Sequence, residues 1–150
     1  QASGYALGGF SAVVRGDIPI GAGLSSSAAV ECAVIFGLNE LFELGLTKIQ
    51  MVKLAQQAEN EFIGVKCGIM DQFASMFGKQ DQVIQLDCRS FDYTYFHFQP
   101  KEYQLLLLNT KVKHSLADSE YNLRRLDCEA GVAHLQRVLP EIMSLRDATE

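Results

Sequence analysis

The segment Pro19-Ile20-Gly21-Ala22-Gly23-Leu24-Ser25-Ser26-Ser27-Ala28-Ala29 constrains this chain more than any other. It follows an alternating run and precedes a long apolar one, so the backbone must turn sharply between two regular elements. Pro19 fixes φ at the entrance, and Gly21 and Gly23 are free to take dihedrals closed to other residues. Ser25, Ser26 and Ser27 offer hydroxyls to cap the helix that follows. A strand, a glycine turn and a serine-rich helix start together make an anion site. The glycines let backbone N–H groups approach a phosphate, the helix dipole favours negative charge, and hydroxyls reach phosphate oxygens or Mg2+. The same residues also read as a flexible turn with a helix cap. Three related loops are each excluded by one residue. A Walker loop needs Lys after the last glycine, a dinucleotide fingerprint needs Gly where Ser26 stands, and a nucleophile elbow needs Gly where Ser27 stands.

Around this turn the pattern predicts an α+β layering. Phe10, Ala12 and Val14 alternate with polar positions, predicting a strand over Gly8–Asp17. AAVECAVIFGLNELFEL predicts a helix from Ser27 to about Leu44, apolar enough to be buried on most sides. Gly45 ends it and Thr47 caps a second helix carrying Ile49, Val52, Leu54, Ala55, Ala58 and Phe62 on one stripe. IMDQFASMF predicts a short helix stopped by Gly78. QVIQLDC, DYTYFHF and YQLLLLNT predict three strands with a turn at Pro100, and a long amphipathic helix is expected from Ser115 onward. Tyr93, Tyr95, Phe96 and Phe98 are expected to pack a sheet.

Composition removes several classes. At 48% hydrophobic the chain is not disordered, and a net charge of −5 argues against nucleic-acid or polybasic membrane binding. No apolar run is long enough to span a bilayer. The start, QASGYALGGF, has no basic n-region and no initiator Met, so the chain is expected to begin inside a longer protein. Cys32, Cys67, Cys88 and Cys128 are spaced too widely for a zinc motif. They read as reduced, largely structural thiols of a cytoplasmic protein. His97, His114 and His134 are too scattered for a metal cluster.

Two further stretches could carry chemistry. Glu59 and Glu61 precede Asp71, which opens the short helix. Each can be an ordinary helix carboxylate, with Asp71 favoured by the dipole. If the Gly/Ser turn holds a nucleotide, one carboxylate anchors Mg2+ and another orients or deprotonates the accepting hydroxyl. The second stretch, Asn109-Thr110-Lys111-Val112-Lys113-His114-Ser115 followed by Glu120-Tyr121-Asn122-Leu123-Arg124-Arg125, ends an apolar run in a polar loop and helix start. That is where such enzymes place substrate-facing groups, although Arg124 and Arg125 also read as a solvated helix face.

Taken together, PIGAGLSSSAA, CGIMDQF and NTKVKHSLADSEYNLRR resemble the galactokinases, a family of the GHMP small-molecule kinase superfamily. The first motif points to the superfamily and the other two to the galactokinases. The resemblance implies an α+β GHMP-kinase fold, with a ribosomal protein S5 domain 2-like N-terminal part leading into a C-terminal GHMP domain. Residues 1–98 would belong to the former and 99–150 to the latter. It implies ATP-dependent phosphorylation of galactose at the anomeric hydroxyl, with Mg2+. By position, Asp71 matches the catalytic aspartate, and Ser27 and Glu59 match metal-linked residues. Ile20, Gly21, Ala22, Gly23, Leu24, Ser25, Ser26 and Ser27 form the phosphate loop, and Gly68, Asp71 and Tyr121 match sugar-contacting positions. Two alternatives stand beside it: a sugar- and ATP-sensing regulator on the same fold, and a GHMP kinase for another small alcohol or sugar. The family's N-terminal motif with its Arg and Glu-His-x-Asp sugar clamp is not in this sequence, nor is its C-terminal glycine-rich motif. The rest of the polypeptide is therefore expected to complete the active site. Asn60 and Asn122 stand where the family commonly has His and Pro.

Overall fold

In the computed structural model, residues 4–111 and 120–148 are described. The chain divides into two units, one of Gln1–Ala58 with Gly68–Lys113 and the other of Glu59–Cys67 with His114–Glu150.

The first unit is built on α1 (Ser26–Leu41), α2 (Lys48–Ala58), α3 (Met70–Phe77), β1 (Gln82–Leu86) and β2 (Tyr93–His97). The turn between α1 and α2 is held by Asn39, whose buried Oδ1 accepts a 2.8 Å bond from the Leu46 N–H. The helix stops at Leu41, earlier than expected, and Glu43 rather than Gly45 takes the left-handed position after its cap, at φ +48°; Gly45, at φ +68°, lies further along the turn. Thr47 and Gln50 then close a capping box. The Thr47 N–H donates to Gln50 Oε1 at 2.8 Å, and the Gln50 N–H donates to Thr47 Oγ1 at 3.3 Å. α3 ends where predicted, with the Gly78 N–H returning to the Ala74 carbonyl.

The core of this unit is Val52, Ile69 and Phe73, with Ile49, Met76, Phe77, Ile84, Leu86 and Phe91 packed around them. Burying a side chain such as Phe73 contributes about 1.5–3 kcal/mol. Its ring stacks on Phe77 at 4.2 Å and meets Tyr93 edge-on at 5.3 Å. β1 and β2 pair antiparallel with Ile84 opposite Tyr95 and Leu86 opposite Tyr93, so alternate residues of the hairpin face the helices. The Tyr95 hydroxyl donates to the Phe77 carbonyl at 2.6 Å. Lys48, Lys53 and Lys79 lie over the rings of Phe77, Phe91 and Tyr95 and cover the aromatic cluster with charge.

Four expectations are corrected here. Gly8–Asp17 is not a strand, although its pattern suits one. A strand needs a hydrogen-bonded neighbour, and none lies beside it among the described residues. Instead residues 10–15 and the outer face of α1 line a groove of about 450 Å³, with Phe10 edge-on to Phe42. α1 is accordingly not buried on most sides, since Val30, Val34, Phe36 and Leu41 are exposed. YQLLLLNT is likewise unpaired, and Leu105, Leu106, Leu107 and Leu108 are each more than 70% exposed. The cysteines are thiols as expected, but Cys32 alone is buried, while Cys88 and Cys128 are exposed.

In the second unit α4 (Glu120–Leu135) carries the long helix, and Ser115 to Ser119 lie outside the described residues. Arg125 pairs with Glu129 at 2.9 Å and Arg124 with Asp127 at 3.5 Å, all on the solvated face. The Arg125 hydrogen bond holds the Glu129 carboxyl below its ordinary range. Exposed pairs of this kind add little to stability, because solvent screens them.

Candidate active site

The two glycines of the Gly/Ser turn have the backbone that the sequence predicts. Gly21, Gly23 and Ser25 take φ of +72°, +74° and +53°, and neither Ala22 nor Leu24 has positive φ. Left-handed residues at every second position are a feature of the concave backbone runs, called nests, whose N–H groups bind anions. It opens onto the N-terminus of α1, whose first turn carries no acidic residue. The positive end of that dipole is therefore left for a ligand anion. Ser25 stands at the N-cap but is left-handed and makes no capping bond with its side chain, so the expected serine cap is absent there.

Asp71 lies in the first turn of α3, half-buried, as predicted. The next residue, Gln72, is fully buried. Its Nε2 donates to Glu31 Oε2 at 3.2 Å, and the Cys32 thiol donates to its carbonyl at 3.5 Å. These bonds bring the start of α3 against the second turn of α1. Ser27 and Glu31 are one helical turn apart and share a face, so the helix that follows the Gly/Ser turn and the helix of Asp71 are bonded to each other within one unit. Gly68, exposed just before α3, belongs to this unit too.

Glu59 and Tyr121 belong to the other unit. Glu59 is buried at the start of a π-helical turn, Glu59–Ile63, whose wide ladder is closed by the Gly64 N–H on the Glu59 carbonyl at 3.1 Å. The Cys67 thiol lies 3.5 Å from Glu59 Oε2 and 3.4 Å from Asn60 Oδ1. Asn122 binds the same loop twice: its Oδ1 accepts from the Lys66 N–H and its Nδ2 donates to the Gly64 carbonyl, both at 3.0 Å. The two departures from the family pattern, Asn60 and Asn122, thus both hold the 64–67 loop, and a proline at 122 could make neither bond. Tyr121 is mostly exposed on α4. Lys111 closes an Asx turn on Asn109 at 2.8 Å, and Val112 to Ser115 lie outside the described residues.

No cluster of His, Cys, Asp or Glu able to hold a metal by itself occurs among the described residues. The hydroxyl of Ser27 and the carboxylate of Glu59 are hard oxygen donors, the kind Mg2+ takes alongside substrate phosphates rather than in an all-protein cage. No described helix is long and apolar enough to cross a membrane.

Cys32, Glu31 and Gln72 were not singled out by sequence. Burial, and next the Glu31 carboxylate, push the Cys32 thiol up to about 11 from 9.0. The folded state therefore favours the protonated thiol. That stability is complete below the unfolded value of 9.0 and is lost as pH rises through the folded value near 11. Urea midpoints measured across this window are expected to fall more steeply for the wild type than for Cys32→Ala. Equal slopes would show that the thiol is not so held.

The model of the GHMP kinases N terminal domain matches residues 1–79, more than half of the chain. The chain belongs to that family of kinase domains. Among its relatives the galactokinase of Clostridium acetobutylicum is 47% identical over 95% of this chain and 36% of its own length. That of Thermotoga maritima is 44% identical over 89% of this chain and 38% of its own. Among solved structures, the crystal structure of Lactococcus lactis galactokinase complexed with galactose superposes with a TM-score of 0.82 at 36% identity. That match covers 89% of this chain and 34% of the other. The chain thus spans a little over a third of the length of the curated relatives it matches.

Proposed function

We propose that this chain is the central part of a galactokinase, which transfers the γ-phosphoryl group of ATP to the anomeric hydroxyl of galactose and releases ADP. The observation that carries the reading is the left-handed alternation at Gly21, Gly23 and Ser25, facing an acid-free helix start joined to the helix of Asp71. Relatives of matching sequence named galactokinase support the choice of sugar.

In this reading the N–H groups of Ile20 to Ser27 hold the nucleotide phosphates, and Asp71 accepts the proton of the sugar hydroxyl as its oxygen attacks phosphorus. Gly68 and Tyr121 contact the sugar. Ser27 and Glu59 would hold Mg2+, which when bound would neutralise charge on the phosphates. Positioning and electrostatics supply most of the rate in such a transfer. Residues 1–98 belong to the nucleotide-binding domain and 99–150 begin the second one, with the rest of the polypeptide supplying the sugar clamp. Four cysteines kept as thiols suit a reducing compartment, and we place the protein in the cytoplasm.

The test is ADP release by the whole protein with galactose as acceptor, against a panel of other sugars and small alcohols. Galactose-dependent turnover is expected. Preference for a non-sugar alcohol would overturn the substrate, and tight binding of both ligands without turnover would replace the enzyme by a sensor.

A further inference from the structure

Gln72 has no exposed surface, although it stands in the first turn of a short helix. A buried amide loses its hydration and is tolerated only where directed hydrogen bonds replace it. A methionine or leucine would fill the same space without that cost. The site therefore gives up packing for direction, and the direction is toward Glu31, 3.2 Å away on α1. The neighbouring residue, Cys32, makes a second link to the same glutamine through its carbonyl at 3.5 Å. Two adjacent residues of α1 thus fix one residue of α3.

The placement of this clasp gives it a use. Asp71 precedes Gln72, so their Cα atoms are about 3.8 Å apart. Glu31 follows Ser27 by one turn, about 6 Å along α1. One bonded route from the turn to the Asp71 carboxylate runs along one turn of α1, across the Glu31–Gln72 bond, and back one residue.

We propose that Glu31 and Gln72 are positioning residues, whose bond sets the Asp71 carboxylate against the phosphate turn. The proposal rests on the kinase reading above. Neither residue touches the reacting atoms. Their bond fixes the separation between the two helix starts, and a misplacement of about 1 Å there can cost on the order of a hundredfold in rate.

The test uses the whole kinase with ATP and galactose. Gln72→Met keeps the volume and removes the donor, Glu31→Ala removes the acceptor, and Glu31→Gln keeps an acceptor oxygen. Each kcat is taken well below the variant's Tm and normalised to nucleotide sites counted by titration. Gln72→Met and Glu31→Ala are each expected to lower kcat on the order of 10-fold to 100-fold with both KM values little changed. The double variant should lose no more than the worse single one, and Glu31→Gln should recover most of the rate. A merely structural role would lower Tm and the count of active sites but not kcat per site. The proposal is overturned by wild-type kcat per site in Gln72→Met, or by losses that multiply in the double variant. Should Glu31→Ala not fold, Gln72→Met and Glu31→Gln decide it. Asp71→Ala is run in parallel. If it retains full turnover the assignment of Asp71 itself fails, whereas its inactivity beside unaffected Gln72→Met sinks the clasp alone.

Discussion

Asp71→Ala in the whole kinase is expected to lower kcat by about 10²- to 10⁴-fold, the range for loss of a positioned proton acceptor. Nucleotide affinity should change little, because the N–H groups proposed to hold the phosphates belong to the turn before α1 and not to α3. The side chain also favours the dipole of α3, so Tm should fall by the equivalent of about 0.3–1 kcal/mol. That small loss separates the two roles of the residue. Asp71→Asn keeps the shape but cannot take a proton. If it is as slow as alanine, the carboxylate acts as a base; if it is nearly as fast as wild type, the residue only orients the sugar. Turnover by Asp71→Ala near the wild-type rate would remove the residue from the chemistry.

The second large effect is expected at Gly23. A Cβ there would meet nothing within 4 Å, so a substitution meets no steric wall in the fold. Its φ of +74° is the obstacle. An alanine at such a φ costs roughly 1–2 kcal/mol, and a β-branched residue is a true outlier there. Gly23→Val should flip this residue to negative φ and break the alternation of the turn, turning N–H groups away from the phosphates. ATP KM is expected to rise at least about tenfold, one step of about 1.4 kcal/mol, with galactose KM little changed. Gly23→Ala should fall between. Equal ATP KM values for all three proteins would show that the turn binds its anion without the nest.

The sequence revealed the turn and its neighbours because their demands are local. Pro19 and the two glycines state their dihedrals without reference to the rest of the chain, and so do the Thr47–Gln50 box and Gly78, whereas nothing local in Ser25 announced its left-handed backbone. The strands were half legible for the opposite reason. Gln82–Leu86 and Tyr93–His97 lie close in the chain and pair with each other, whereas Gly8–Asp17 and the Leu105 run have the same propensity and no partner among the described residues. Alternation reports only willingness to pair. The Glu31–Gln72 bond was hidden because it joins residues of two helices, and only a glutamine amid apolar neighbours in MDQFASMF hinted at it. Asn122 gave a clearer sign as an exception to the family pattern, and the structure answers it with two bonds to the loop before Gly68.

Ser25 has a consequence for any attempt to stabilise this protein. It holds φ +53°, ψ +44° without a glycine's freedom and makes no capping bond in return. Directed selection for heat resistance alone should therefore drift toward glycine at 25, since that exchange relieves strain of about 1 kcal/mol. It would also delete a hydroxyl from the rim of the nest. Thermal tolerance and the proposed phosphate grip pull against each other at this one residue, and a library scored only on melting would select against the second.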